Sequence, residues 1–232
     1  DIVTFDSVGV GATGSGTPKT ITWNHTISPS SNYVVMAVSL LLNGTPTPAT
    51  LTALVGSTPM TYLGGNLAYA PLGGGFYAIM FYGMANPPTG TQTMSVGSSS
   101  LATYLAANTV AYQNVGEVSP IYTMGGAAST SLSQGPINAE SNQLIVQAFA
   151  QNQNVALNTY NKTQRYNVSG AANVNASLLI GDAAGGSPVT FTAISPTSGA
   201  YGGVAIGLIA SPSGLRNAVV NAPQAITETS SS

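Results

Sequence analysis

The sequence predicts an all-β fold, an antiparallel β-sandwich of the jelly-roll kind followed by a C-terminal tail. Short runs rich in Val, Ile, Thr and Tyr are separated by clusters of Gly, Pro, Asn and Ser, which is typical of strands and turns. The chain has only four Lys and Arg against 27 Gly and 14 Pro, and no long window has a helical period between caps. Strands without intervening helices indicate two packed antiparallel sheets.

Turn residues divide the chain into about fourteen predicted strands. In the first half they are predicted at residues 2–8, 19–27, 33–42, 49–55, 60–63, 76–85, 92–97 and 101–112. In the second half they are predicted at residues 129–133, 143–151, 164–168, 175–181, 189–193 and 201–209. Dipeptides such as Asn43-Gly44 and Ser195-Pro196 mark turns between the strands.

The strand at residues 19–27 has the clearest period of two in the chain. Because alternate side chains point to opposite faces of a sheet, we expect one buried face and one solvated face. The predicted buried set is Ile21, Trp23, His25 and Ile27, and the predicted solvated set is Thr20, Thr22, Asn24 and Thr26. Residues 178–180 and 204–209 are more continuously apolar or small, which favours central strands covered on both sides.

A single domain is predicted over residues 1–210, a size that suits one sandwich. Residues 211–232 differ in composition, with Pro, Gly and a terminal run of Ser. This tail either docks on a neighbouring subunit through the apolar residues 218–220 or is a loose terminus, and the sequence leaves both open. Since the chain starts at Asp1 without a signal-peptide pattern, we expect it to be processed or to belong to a longer product.

Charge is scarce, with ten Asp, Glu, Lys and Arg among 232 residues and a net charge of −2. About a quarter of a typical soluble domain is charged. Most enzymes, metal sites and nucleic-acid interfaces need clustered ionisable groups, so this composition argues against them, and we expect no cofactor. Cysteine is absent, which excludes disulfides and thiolate metal sites. No apolar run is long enough to span a membrane, and we expect solubility to depend on assembly.

The ionisable residues are predicted to have structural roles. His25 is the single histidine, and its place beside Trp23 indicates a packed, hydrogen-bonded ring at the edge of the core. No nucleophile elbow accompanies it. Asp182 follows an apolar strand and is expected to bind turn amides. The other carboxylates considered as paired catalytic acids are Asp6, Glu117 and Glu140, which are expected to be solvated or structural.

A polar hairpin carries the candidate contact site. Lys162 and Arg165 are the closest pair of cations in the sequence, and Tyr160 and Tyr166 lie beside them. Aromatic faces stack on sugars, and cations pair with polar groups, so this patch is predicted to contact a glycan or a partner protein. A merely solvated hairpin is the alternative.

Seven short segments, in this order, resemble a known family. They are residues 3–9 (VTFDSVG), 23–26 (WNHT), 33–39 (YVVMAVS), 59–64 (PMTYLG), 81–92 (FYGMANPPTGTQ), 110–115 (VAYQNV) and 178–182 (LLIGD). The resemblance is to β-sandwich modules in minor tail and other virion proteins of actinobacterial phages, especially mycobacteriophages. The resemblance covers residues 1–210 and lies in the pattern of strand-forming and turn-forming residues. It implies a particle component at the tail tip, on a fibre or decorating the capsid, and no active-site residues.

We therefore expect a non-enzymatic structural protein of a phage particle, located in the virion. Protein interface cores are depleted in Lys, Glu and Asp, which fits a nearly uncharged chain. Its expected partners are other virion or surface subunits, including copies of itself in a homo-oligomer, and neither nucleic acid nor a membrane span is expected. The alternatives are a carbohydrate-binding or adhesion module for a host envelope glycan and a strand-exchanging filament subunit. Both alternatives imply an extracellular or cell-surface location.

Overall fold

The structure, a computed structural model, describes residues 1–16, 19–44, 47, 51–72, 75–98, 103–169 and 175–212. All regular structure in these ranges is β, in sixteen strands, and they include no helix. The predicted all-β class, with antiparallel sheets packed together, is confirmed. The predicted tail from residue 213 onward and the predicted strand residues 49–50 and 101–102 lie outside the described residues.

The strands are β1 (Thr4–Val8), β2 (Ala12–Gly16), β3 (Lys19–Ile27), β4 (Ser31–Asn43), β5 (Thr52–Val55), β6 (Thr58–Pro59), β7 (Thr61–Leu72), β8 (Gly75–Ala85), β9 (Gly90–Ser98), β10 (Thr103–Gln113), β11 (Val115–Val118), β12 (Tyr122–Ile137), β13 (Gln143–Gln151), β14 (Thr163–Val168), β15 (Ser177–Ala184) and β16 (Val189–Ala210).

The described strands form three antiparallel sheets rather than the two that were predicted. The middle sheet has the order β1-β10-β4-β8-β7, and β2 extends the β1 edge along β10. The upper sheet has the order β3-β9-β5-β6. The lower sheet has the order β11-β16-β13-β15-β14, with β12 also paired to β16. The upper and lower sheets pack on opposite faces of the middle sheet.

Strand β4 explains why the middle sheet is buried on both faces. Val34 and Met36 lie in a core with Trp23 of the upper sheet. Val35, between them, lies in a different core with Ile180 of the lower sheet. Because neighbouring residues of a strand face opposite sides, a strand between two layers needs apolar residues at every position. The apolar run of β4 from Tyr33 to Leu42, interrupted by the small buried Ser39, is the result.

The outer face of the lower sheet is covered by a two-stranded ribbon of β12 and the first half of β16. Phe149 of β13 packs there against Leu132 and Phe191, which belong to the ribbon. The predicted division into strands at residues 189–193 and 201–209, with a turn at Ser195-Pro196, is wrong because β16 is continuous. Pro196 falls where the ladder between β12 and β16 skips residues, so its missing N–H interrupts no pairing between these strands.

The predicted alternation of residues 19–27 is confirmed. Trp23, His25 and the two Ile residues of β3 are buried, whereas its Thr and Asn side chains are exposed. The ladder from β3 to β9 runs from Lys19 opposite Ser98 to Ile27 opposite Gly90 without a bulge. The upper sheet therefore has one apolar face toward the core and one polar face toward solvent.

Burial of the middle sheet on both faces predicts that two adjacent residues of β8 are equally sensitive to truncation. Met80 faces the upper sheet and Phe81 faces the lower sheet, and both are fully buried. Met80→Ala is expected to cost about 2–5 kcal/mol and Phe81→Ala about 3–5 kcal/mol of unfolding free energy. Denaturant titration of each variant measures these costs.

The matched control is β9, which has only one buried face. Met94→Ala is expected to resemble Met80→Ala, whereas Thr93→Ala beside it should change the unfolding free energy by less than about 0.5 kcal/mol. A cost for Met80→Ala or Phe81→Ala as small as that of Thr93→Ala would contradict the three-layer arrangement.

Candidate functional site

His25 lies between the upper and middle sheets, where it is 1% exposed. Its Nδ1 atom is 2.8 Å from Thr109 Oγ1 on β10. Its Nε2 atom is 3.0 Å from Ser7 Oγ on β1. The ring therefore joins three strands from two sheets, and we call Asp6, Ser7, Trp23, His25 and Thr109 the His25 cluster.

The two ends of the His25 cluster set the direction of its hydrogen bonds. Ser7 donates its hydroxyl proton to Asp6 Oδ2 at 2.8 Å, because an ionised carboxylate only accepts. Ser7 must then accept the Nε2 proton of His25, which leaves Nδ1 to accept from Thr109. Trp23 donates its indole N–H to Thr109 Oγ1 at 3.1 Å, since indole has no acceptor. The cluster is complete only when His25 is neutral.

Burial lowers the pKa of His25 to about 4, and the weaker attraction of Asp6 for the proton opposes this shift. Asp6 behaves differently. Burial acts to raise its pKa, but hydrogen bonds from Ser28, Gln113 and Ser7 outweigh that effect and hold the pKa well below the ordinary value. Near neutral pH the cluster therefore contains a neutral imidazole and an ionised carboxylate.

This geometry does not suit Ser7 as a nucleophile activated by His25. An activating base must accept the serine proton, whereas that proton is directed to Asp6 and Nε2 is itself a donor. The carboxylate also contacts Ser7 rather than the ring. His25 is thus a buried, hydrogen-bonded core histidine, as its alternating strand predicted.

A second polar cluster lies between the middle and lower sheets. Asp182 is 3% exposed. Arg165 binds it through two nitrogens, with Nε 2.7 Å from Oδ2 and Nη2 3.0 Å from Oδ1. Tyr112 of β10 donates its hydroxyl to Asp182 Oδ2 at 3.0 Å. The Arg165 guanidinium also stacks 3.7 Å from the centre of the Phe5 ring on β1. We call Phe5, Tyr112, Arg165 and Asp182 the Asp182 cluster.

The prediction that Asp182 binds turn amides is wrong. Strand β15 continues to Ala184, so Asp182 remains within the sheet. It shares the inward face of Leu178 and Ile180, and this alternation points the carboxylate at the middle sheet. Burial raises the pKa of the Tyr112 hydroxyl well above its ordinary value, and the Asp182 charge raises it further.

Two of the predicted contact residues have their polar groups engaged inside the fold. Tyr160 donates its hydroxyl to Gln147 Oε1 at 3.0 Å and stacks on Phe191. Arg165 is held by Asp182. Tyr166 packs over Gly11, where φ is +69° and an added Cβ would lie 2.4 Å from the tyrosine hydroxyl. Lys162 is half-buried. Contact of this hairpin with a glycan or partner stays a prediction.

The remaining carboxylates do not converge on a described site. Glu117 lies on β11 and Glu140 precedes β13, and both are exposed. Among the residues that the structure describes, no group of three His, Cys, Asp or Glu side chains is placed to hold a metal ion.

Buried glutamines were missed by sequence reasoning. Gln151 is fully buried, and its Nε2 lies within hydrogen-bond distance of three carbonyl oxygens, those of Ser129, Thr197 and Gly199. It thereby joins β13 to both strands of the ribbon, β12 and β16. The signal in the sequence was a polar residue at every fourth position of an apolar run, Gln143, Gln147 and Gln151.

The polar face of the upper sheet is a regular uncharged surface. We call it the threonine face and define it as Thr20, Thr22, Asn24, Thr26, Thr91 and Thr93, which are all exposed. Asn24 lies opposite Thr93 and Thr26 opposite Thr91 in the ladder. The hydroxyl oxygens of Thr26 and Thr91 are 2.9 Å apart.

No protein-family model matches the chain, and no curated protein is significantly similar to it. Within the described ranges, no helix is long and apolar enough to cross a membrane.

The Asp182 cluster predicts a large cost for removing one ion and a smaller cost for removing both. Asp182→Ala leaves the guanidinium without its partner and is expected to cost about 3–5 kcal/mol of unfolding free energy. The double variant Asp182→Ala, Arg165→Met should cost less than the sum of the costs of Asp182→Ala and Arg165→Met, because no buried charge remains unpaired. Thermal or denaturant unfolding of the three variants measures the difference.

The control cation is Lys162, three residues from Arg165 and half-buried. Lys162→Met should change the unfolding free energy by less than about 0.5 kcal/mol. Equal costs for Lys162→Met and Asp182→Ala would show that the ion pair has no special role in stability.

Proposed function

We propose that this protein is a non-enzymatic structural component of a phage particle, namely a minor tail, tail-tip, fibre or capsid-decoration protein. In this proposal it assembles with copies of itself and with other subunits through uncharged β surfaces. Its location is then the virion. The observation that carries the proposal is the distribution of the few charges over the described residues.

Several charged side chains of the described residues are bonded to other groups within the fold. Asp6 accepts hydrogen bonds from three side chains, and Arg165 and Asp182 neutralise each other between two sheets. Asp1, Glu117 on β11 and Glu140 before β13 are exposed carboxylates of the described residues. A surface so poor in charge has weak electrostatic repulsion between copies, which favours close association.

The threonine face supports the proposal because a hydroxyl is both donor and acceptor. In a symmetric contact the same patch meets itself, so its groups must be complementary to themselves. Hydroxyl and amide side chains meet this condition, whereas a patch of like charges does not. Threonine is also branched at Cβ and therefore stiff, so ordering it on contact costs little entropy.

The resemblance of residues 1–210 to virion β-sandwich modules gives the proposal its particle context. Glycan binding remains the alternative function. The aromatic and cationic groups of Tyr160 and Arg165 already have partners inside the fold, so fewer groups of the predicted hairpin are available for a sugar.

Light scattering over a concentration series tests self-assembly. We expect a stable multiple of the 23.3 kDa chain mass. Because exposed charges are few, the association constant should change little between low and high salt, where exposed ion pairs are screened. A 23.3 kDa monomer at every concentration would contradict self-assembly, and binding to host cell-wall extracts would then test the glycan alternative.

Single lysine substitutions locate the contact. Thr22→Lys places a charge in the centre of the threonine face and should dissociate the assembly if that face is used. Thr163→Lys, at an exposed position of β14 on the lower sheet, is the matched control. Dissociation by Thr163→Lys alone would move the contact from the threonine face to the lower sheet.

A further inference from the structure

The geometry points to His25 as an acid-sensitive latch, in which proton uptake by its ring releases the edge strand β1 from the middle sheet. This device is independent of the proposed function. It concerns the three strands that meet at the ring, and it depends on the direction of the hydrogen bonds in the His25 cluster.

A second ring proton disrupts the cluster at Thr109. The protonated ring donates from both nitrogens, so Nδ1 changes from acceptor to donor toward Thr109 Oγ1. That oxygen already accepts the indole proton of Trp23, and its own hydroxyl proton then loses the acceptor it had. The ring also becomes a buried cation, which is costly without a direct counter-ion.

Of the three strands at the ring, β1 yields most easily. Strand β10 is paired on both sides, to β4 and to the β1–β2 edge. Strand β3 carries Trp23, which is 4% exposed in the core. Strand β1 has five residues, lies at the edge of its sheet, is only partly buried and has a bulge between Phe5 and Ser7. Its departure exposes the Nε2 side of the ring to water, which solvates the added charge.

The charged groups around the latch are few. On β1, Asp6 faces the ring through Ser7 and attracts a proton to it. Across the ladder, β9 presents uncharged Gln92 opposite His25. On the other side of β1, Arg165 stacks on Phe5 and is neutralised by Asp182. The charge of Asp6 and a hydrogen bond to Ser7 both raise the pKa of His25, but burial outweighs them.

The sign of the pH effect follows from linkage. The closed state holds the pKa of His25 near 4 because of burial, whereas an exposed histidine has a pKa of about 6.5. The open state therefore binds more protons between these values. Closure is fully stabilised above about pH 6.5 and weakens as the pH falls toward 4, with the opening constant rising about tenfold per pH unit. Asp6 stays ionised in this window, because its pKa is held below the ordinary value.

Opening would expose the backbone of β10 that β1 covers at this edge of the middle sheet. Residues 110–113 of β10 pair with β1 when it is closed. Their backbone groups become free when it leaves, and a free edge of this kind is a template for pairing with another extended segment. Acid would thus convert a closed edge into one that accepts a strand.

Hydrogen exchange combined with NMR of the ring tests the latch in the full chain. His25 is the only histidine, so its ring resonances report one titration without ambiguity. After correction for intrinsic exchange rates, amides of β1 should lose protection about tenfold per pH unit below about pH 6.5, while amides of β4 and β8 keep theirs. Unchanged β1 protection down to pH 4, or equal loss in all strands, would overturn the proposal.

His25→Gln is the matched variant, because the glutamine amide can both donate and accept hydrogen bonds but does not titrate. We expect the β1 amides of this variant to show no change in opening across the same pH range. If they open with the wild-type slope, His25 is not the latch. If the variant does not fold, the wild-type comparison still decides, since β1 protection must begin to fall below about pH 6.5 and must level off at the pH where the ring resonances show His25 protonated.

Asp6→Asn separates the two titratable groups of the cluster. It removes the carboxylate that accepts the Ser7 proton, so β1 should open more at every pH, including neutral pH. The acid-dependent slope should persist, because His25 is unchanged. Loss of that slope in Asp6→Asn would assign the acid response to Asp6 and overturn the proposal.

Discussion

Burial of the middle sheet on both faces is the constraint on which the rest of this structure depends. A sheet between two layers has no solvated side, so a polar side chain in it needs a hydrogen-bond partner within the protein. Thr109 and Tyr112, on the same strand, satisfy this need in opposite directions. Thr109 reaches His25 of the upper sheet, and Tyr112 reaches Asp182 of the lower sheet. One strand thereby specifies the position of both outer layers.

The scarcity of charge follows from the same arrangement. With three sheets and a covering ribbon, much of each strand faces another layer, and ionised groups are costly there unless paired. Among the described residues, the ion pair of Arg165 with Asp182 lies between two layers, and buried neutral glutamines such as Gln151 occur elsewhere. On the solvated faces, hydroxyl side chains stand in place of charged ones. The threonine face is the outer counterpart of the apolar face that carries Trp23.

The sequence correctly predicted those features of the fold that depend on alternation between neighbouring residues of a strand. The buried and exposed faces of residues 19–27 and the strand character of residues 33–42 followed directly from residue order. The third sheet did not, because periodicity tells which side is buried but not which layer covers it. Strands β2 and most of β12 were missed, since Gly, Ser and Ala dominate them and long-range pairing with β10 and β16 holds them in place. Asp182 was misplaced because its partners, Arg165 and Tyr112, are distant in sequence.

The two polar clusters differ in how charge is balanced, and this difference determines how each responds to acid. In the Asp182 cluster the opposite charges touch, so the carboxylate keeps a direct counter-ion. In the His25 cluster the hydroxyl of Ser7 stands between the ring and Asp6. The Ser7 hydroxyl accepts a hydrogen bond from the ring and donates one to Asp6, but it carries no formal charge. A protonated ring would therefore have no counter-ion in direct contact, so the cluster favours the neutral ring. The middle sheet therefore meets the lower sheet at an ion pair whose charges are already balanced and which Tyr112 and Phe5 contact, whereas its contact with the upper sheet at His25 depends on the absence of a single proton.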